Sequence, residues 1–156
     1  MAVVAIAIAL HWLRHMPRFF SLLSLPGTAG HEALHFLVGT LTLARPIKAS
    51  LMPTFRRNGS TTLGYVMFAN IRWYNALFVG LAPLLALPFA VALVHYRAAA
   101  GPPWGWIEIA WGYVAANLAY SCTPSRADLE IVFSKPLGSI LWLAAAATAA
   151  WLWFQS

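Results

Sequence analysis

His31, Glu32 and His35 stand close together in the stretch "GTAGHEALHFLVG", residues 27–39. The two histidines are four residues apart. On an α-helix that spacing is about 400° of rotation, so both imidazoles project from one face. Two imidazole nitrogens placed this way fill two corners of a zinc tetrahedron. Glu32 is turned about 100° from His31, beside such a metal rather than aimed at it, which suits a base that takes a proton from water. This is the HExxH pattern of zinc hydrolases. The surrounding run is apolar, where charge is costly unless a partner or a cation offsets it. His11 and His15 have the same spacing but no adjacent glutamate, and they straddle Arg14; they are expected at an interface rather than on a metal.

A catalytic zinc takes a third protein ligand and keeps one position open for water. The chain has only four acidic residues, Glu32, Glu108, Asp128 and Glu130. Asp128 lies in "SCTPSRADLEIVF", a polar, proline-containing break that can re-enter the membrane if protein covers it. Asp128 is the first candidate for the third ligand, Glu130 the second and His95 the third. The competing role for Asp128 is structural: Ser125 can cap a helix whose first turn holds Asp128, the capping-box arrangement.

The elements that must hold these groups are apolar. The chain has 156 residues, 61% of them hydrophobic and 9% charged. Ordinary soluble domains carry about 25% charge, so the bilayer is the natural solvent. The length suggests one domain, residues 1–156. The expected fold is an all-α polytopic helical bundle of four to five membrane segments, near 2–13, 19–43, 73–95, 104–121 and 137–154. The first is short for a span, and with no basic residue ahead of it we expect a retained segment rather than a cleaved signal peptide. Pro26-Gly27 is expected to interrupt the second segment, with Thr28 capping the helix that follows; Pro83 and Pro88 are expected to kink the third.

Between the second and third segments the pattern is not helical. Asn58-Gly59 is a strong hairpin turn, and "TTLGYVMF" is rich in strand formers. A β-hairpin is expected over about 47–68, with strands near 47–55 and 61–68. It would sit at the interface or against the helices, because lipid does not tolerate an open sheet edge.

The net charge of +6 does not point to nucleic acid, since no basic stripe with interleaved aromatics is present. The cations lie between apolar runs, where they set topology and meet anionic headgroups. Arg45, Lys48, Arg56, Arg57, Arg72, Arg126 and Lys135 fall on one side if the segments alternate, against Arg14, Arg18 and Arg97 on the other, which puts the hairpin in the cytoplasm. Eight tryptophans and five tyrosines suit interfacial belts. Cys122 is the single cysteine, so no internal disulfide exists.

With "HEALH" inside a span, then a hairpin, a span containing "GLAPLL" and a further span followed by "PSRAD", the chain resembles the site-2 protease-like membrane zinc metalloproteases over roughly residues 19–130. It is most similar to small bacterial members with an aspartate in a PSR-x-D motif. The resemblance implies zinc held by His31, His35 and Asp128, Glu32 as general base, and an intramembrane protease of the bacterial inner membrane. Its substrates would be transmembrane segments, which must unwind and can pair with the hairpin edge. The better-known members carry an Asn-Pro motif ending in Leu-Asp-Gly. Here Ala127-Asp128-Leu129 has no following glycine, and Asn117, the residue set against the motif asparagine as a substrate or oxyanion group, lies further upstream. A polar path for water past Thr28, Thr40 and residues 122–128 is expected.

Two other readings compete. One is a non-catalytic metal-binding membrane scaffold or accessory subunit, for which Glu32 has no purpose. The other is a haem protein with His31, His35 or His95 as axial ligands. Partnership with accessory membrane subunits or with further copies of the chain fits the small size of either.

Overall fold

A computed structural model describes all residues except Met1, Arg14, 56–60, 102–104 and Ser156. The chain is mostly helical, with a small antiparallel β element. In order it runs α1 (Ala2–Leu13), α2 (Pro17–Leu23), α3 (Leu25–Leu41), β1 (Pro46–Ser50), β2 (Thr54–Phe55), β3 (Thr61–Thr62), β4 (Tyr65–Phe68), α4 (Ala76–Leu81), a 3₁₀ turn (Ala82–Leu85), α5 (Ala86–Ala99), α6 (Trp106–Ser121), α7 (Arg126–Phe133) and α8 (Pro136–Gln155).

The second apolar segment is two helices, not one. The break falls at Ser24 rather than at Pro26-Gly27, and Thr28 lies buried inside α3 instead of capping it. The reason is local. Pro26 occupies the second position of α3, where the missing N–H has no intrahelical acceptor to lose. In the third segment Pro83 produces the 3₁₀ turn, whereas Pro88 falls in the first turn of α5 and leaves the helical path intact. Among the described residues two helical stretches are long and apolar enough to cross a membrane, Ala76–Ala99 and Pro136–Gln155. The expected segments 19–43 and 104–121 emerge with shorter helices, α3 of 17 residues and α6 of 16.

The hairpin forms as two short antiparallel ladders. β1 pairs with β4 through Lys48↔Met67, Ala49↔Val66 and Ser50↔Tyr65, with a bulge between Pro46 and Lys48. β2 pairs with β3 through Thr54↔Thr62 and Phe55↔Thr61. The turn expected at Asn58-Gly59 lies outside the described residues.

Small side chains set the helix packing. α6 lies against α1, α3 and α5, and α7 against α4. Ala76, Val79, Ala82, Ala86, Ala115 and Ala116 are fully or almost fully buried, so these backbones can approach closely. The outward surface is apolar: Leu141, Leu143, Trp151 and Leu152 of α8 are all exposed.

Candidate metal centre

Helix α3 delivers His31 and His35 to one face as the spacing predicts, and the neighbouring elements orient each ring. His31 Nδ1 bonds the carbonyl of Ser121 at 2.8 Å. Ser121 is the last residue of α6, so its carbonyl has no partner within the helix. His35 Nδ1 bonds the carbonyl of Val79 at 2.9 Å. Four residues after Val79 comes Pro83, which has no N–H to complete the usual i to i−4 bond. The proline thus leaves capacity on that carbonyl, which is otherwise taken only by the weaker 3₁₀ bond from Ala82.

With each Nδ1–H given to a carbonyl, the neutral rings present lone pairs at Nε2. Those two Nε2 atoms lie 3.3 Å apart. Asp128 closes the triangle: Oδ1 is 2.9 Å from His35 Nε2 and Oδ2 is 3.3 Å from His31 Nε2. Two lone pairs and a carboxylate converging on one point repel each other unless a positive charge sits among them. A tetrahedral zinc with bonds of about 2.0–2.1 Å has ligand atoms about 3.3 Å apart, close to the spacing found. His31, His35 and Asp128 are therefore a group that can hold a metal ion.

The structure also joins the two competing roles of Asp128. The break at 122–125 ends α6 and starts α7. Ser125 Oγ accepts from Asp128 N at 3.2 Å, and Ser125 N donates to Asp128 Oδ2 at 2.6 Å, a complete capping box. The cap fixes the carboxylate that faces the imidazoles. Gly80 of α4 lets this turn come close, because a Cβ there would stand 2.5 Å from the Asp128 carbonyl oxygen.

Glu32 is buried beside the cluster. Its neighbour across the cleft is Gly64, between β3 and β4, where a Cβ would meet Glu32 Cγ at 2.7 Å and the Ser50 carbonyl at 3.0 Å. The hairpin thus roofs the glutamate. Together these groups border a cavity of about 480 Å³ whose wall includes Ser24, Thr28, Tyr65, Val66, Phe68 and Tyr120. Ser24 Oγ is buried without a protein partner among the described residues. Thr28, His31 and His35 follow one face of α3 at helical spacing, with Ser24 at its N-cap one turn before Thr28, so the polar wall follows a helical pattern in the sequence. Gly64 and the orienting carbonyls carried no sequence signal.

Several expected residues fall elsewhere. Glu130 is exposed: two positions past Asp128, it is turned about 200° away on α7. His95 is exposed on α5, and neither joins the metal-binding group. Asn117 does not border the cavity. It is buried between α6 and α3, donates to the Tyr113 carbonyl at 3.1 Å, and has an unpaired Oδ1 among the described residues. Thr40 bonds the Phe36 carbonyl one turn back and lies off the cavity wall. His11 and His15 are exposed and gather no third donor among the described residues.

No protein-family model, curated protein or solved structure matches the chain.

Proposed function

We propose that the chain is a membrane-embedded zinc metallopeptidase of the site-2 protease type, cleaving peptide bonds in or near transmembrane segments. The observation that carries this reading is the convergence of His31 Nε2, His35 Nε2 and the Asp128 carboxylate, with Glu32 beside them in one cavity. Zinc held there supplies a Lewis acid that polarises a carbonyl and brings the pKa of water toward about 7. Glu32 takes the proton of the attacking water and returns it to the leaving amine. Its burial under Gly64 holds it against that cavity. The donor triangle suits a small ion; a haem needs axial ligands on opposite faces of a flat ring, and these imidazoles converge on one point.

The substrate path follows from the same wall. Among the described residues β4 pairs with β1 alone, and Tyr65, Val66 and Phe68 border the cavity. An extended peptide that adds to the other edge lies across the cluster, its backbone bonded and its side chains alternating. A helical substrate segment must first unwind to do so.

The setting is a polytopic protein of the bacterial inner membrane with four to five segments. His31 and His35 flank the middle of α3, each about 9 Å from its nearer end at about 1.5 Å per residue. α6 and α7, broken at the ligand loop, form a single crossing of about 36 Å when taken together, enough for the roughly 30 Å hydrocarbon core.

The test is metal content and cleavage measured together. Wild type should bind about one zinc per chain and cut single-span membrane reporters made in the same cells. Glu32→Gln should keep the zinc and lose 10²–10⁴-fold in turnover, the usual contribution of a general base. Zinc without Glu32-dependent cleavage of any reporter would leave a metal-binding scaffold instead.

A further inference from the structure

A second cavity lies at the end of the bundle where α3 stops and α4 begins. It measures about 600 Å³ and is walled by Arg45, Ala69, Asn70, Arg72, Trp73 and Tyr74. Its frame is tightly knit. Asn75 is fully buried; it accepts from Arg72 N at 2.7 Å and donates to the carbonyls of Asn70 at 2.9 Å and Thr42 at 3.2 Å. Asn70 Nδ2 donates to the Leu43 carbonyl at 2.8 Å, and Ala69 N donates to the Arg45 carbonyl at 3.0 Å. Leu43 and Arg45 are held at φ of 59° and 54°, a left-handed backbone that ordinary side chains avoid and that persists where surrounding bonds impose it.

That frame sets two arginines, Arg45 and Arg72, on the wall of one cavity. Arg72 Nε donates to Asn70 Oδ1 at 2.7 Å, which fixes the group and leaves its terminal nitrogens available. Neither Arg45 nor Arg72 forms an ion pair with a carboxylate among the described residues; Asp128 faces the histidines and Glu108 pairs with Arg97. Two like charges held on one cavity favour an anion between them, and the planar fork of arginine matches phosphate oxygens two at a time. Trp73 and Tyr74 border the same space, with only Asn75 between them and Ala76, where a stretch long enough to span begins. Aromatic residues beside cations at the end of a span mark headgroup depth.

We propose that the Arg45–Arg72 cavity binds the phosphate of an anionic membrane lipid. This rests on the membrane setting given under the proposed function but not on the hydrolytic chemistry. The shared ligand chemistry is a phosphate oxyanion, and the sources to be told apart are a lipid headgroup and inorganic phosphate.

The experiment uses the full chain in detergent, with bound lipid counted by native mass spectrometry. Phosphatidylglycerol, phosphatidylcholine and inorganic phosphate are the probes. Wild type should retain one phosphatidylglycerol at concentrations where phosphatidylcholine washes away. Arg45→Gln with Arg72→Gln should weaken that retention at least tenfold, while Arg126→Gln, outside the cavity, should leave it unchanged. Equal retention in the double variant overturns the proposal, as does displacement of the lipid by inorganic phosphate at equal concentration. Metal content reports whether the double variant is folded. Should it lose metal, Arg45→Lys with Arg72→Lys decides: the charge is kept and the fork lost, so weaker retention supports the site and wild-type retention overturns it. Lipid bound by a chain that cleaves nothing leaves this proposal standing and removes the peptidase, whereas a chain that stays soluble without detergent removes the membrane setting.

Discussion

Asp128 performs two tasks with one carboxylate. Its Oδ2 accepts the Ser125 N–H and also faces His31, while Oδ1 faces His35. The cap is therefore the device that orients the donor, and the tasks separate by substitution. Asp128→Asn can still accept the Ser125 N–H but offers no anionic oxygen. It should keep the α7 helix and lose metal affinity by two orders of magnitude or more, beyond the 10–100-fold typical of an outer partner. Ser125→Ala should cost about 1 kcal/mol of stability, the usual value of a lost N-cap, and reduce zinc retention by tenfold at most. Metal analysis beside thermal unfolding separates the outcomes, and full zinc in Asp128→Asn would remove Asp128 from the ligand set. The pair His31 and His35 was legible because helical spacing is local. Asp128 was reachable because carboxylates are so scarce in this chain that few candidates exist. Asn117 misled because its surroundings are not local: it packs at Gly27, where α3 and α6 touch, and no pattern along the chain reveals that contact.

At the scale of elements, the helix ends and interruptions build the site. α6 stops at Ser121 and offers a carbonyl to His31; α4 is interrupted by Pro83, and its Val79 carbonyl orients His35. Pro83 was expected as a kink. Its consequence for a ring on another helix was not readable, because it depends on which helix packs alongside. Pro83→Ala restores an N–H that competes for the Val79 carbonyl. We expect a regular helix there and a loss of about tenfold in zinc affinity, the scale of a disturbed outer partner, measured by competition with a chelator. The hairpin gives a second element-level prediction. Gly64→Ala places a Cβ against Glu32 Cγ and the Ser50 backbone, so either the carboxylate or the strand must shift. A displacement of about 1 Å at a reacting group costs on the order of 100-fold in rate. Turnover should fall by that order with zinc content unchanged, and unchanged turnover would show that the hairpin does not hold the base.

At the scale of the whole molecule, the apolar runs showed that the chain is mostly helical but not how many helices it forms, because the breaks at Ser24 and Pro83 divide two of the expected segments, and not their direction, which contacts fix. Asn75, at the start of α4, bonds the Thr42 carbonyl at the end of α3, and Trp142 of α8 donates to the Tyr74 carbonyl at 3.0 Å. The end of α3 and the starts of α4 and α8 therefore share one end of the bundle. The two stretches long enough to span, Ala76–Ala99 and Pro136–Gln155, run from that end in the same direction. If both cross a membrane, as proposed, the chain must return once between them, and α6 with α7 is the segment available to do it. Met52, in the hairpin, and Ala100, after α5, then lie on opposite faces, and both are exposed. In a Cys122→Ala background, Met52→Cys should react with an impermeant thiol reagent only from the cytoplasmic side, the side proposed for the hairpin from the excess of Lys and Arg, and Ala100→Cys only from the other. Labelling of both from one side would mean that residues 76–99 do not cross, and the cluster of His31, His35 and Asp128 would then lie in a water-facing cleft rather than within the bilayer.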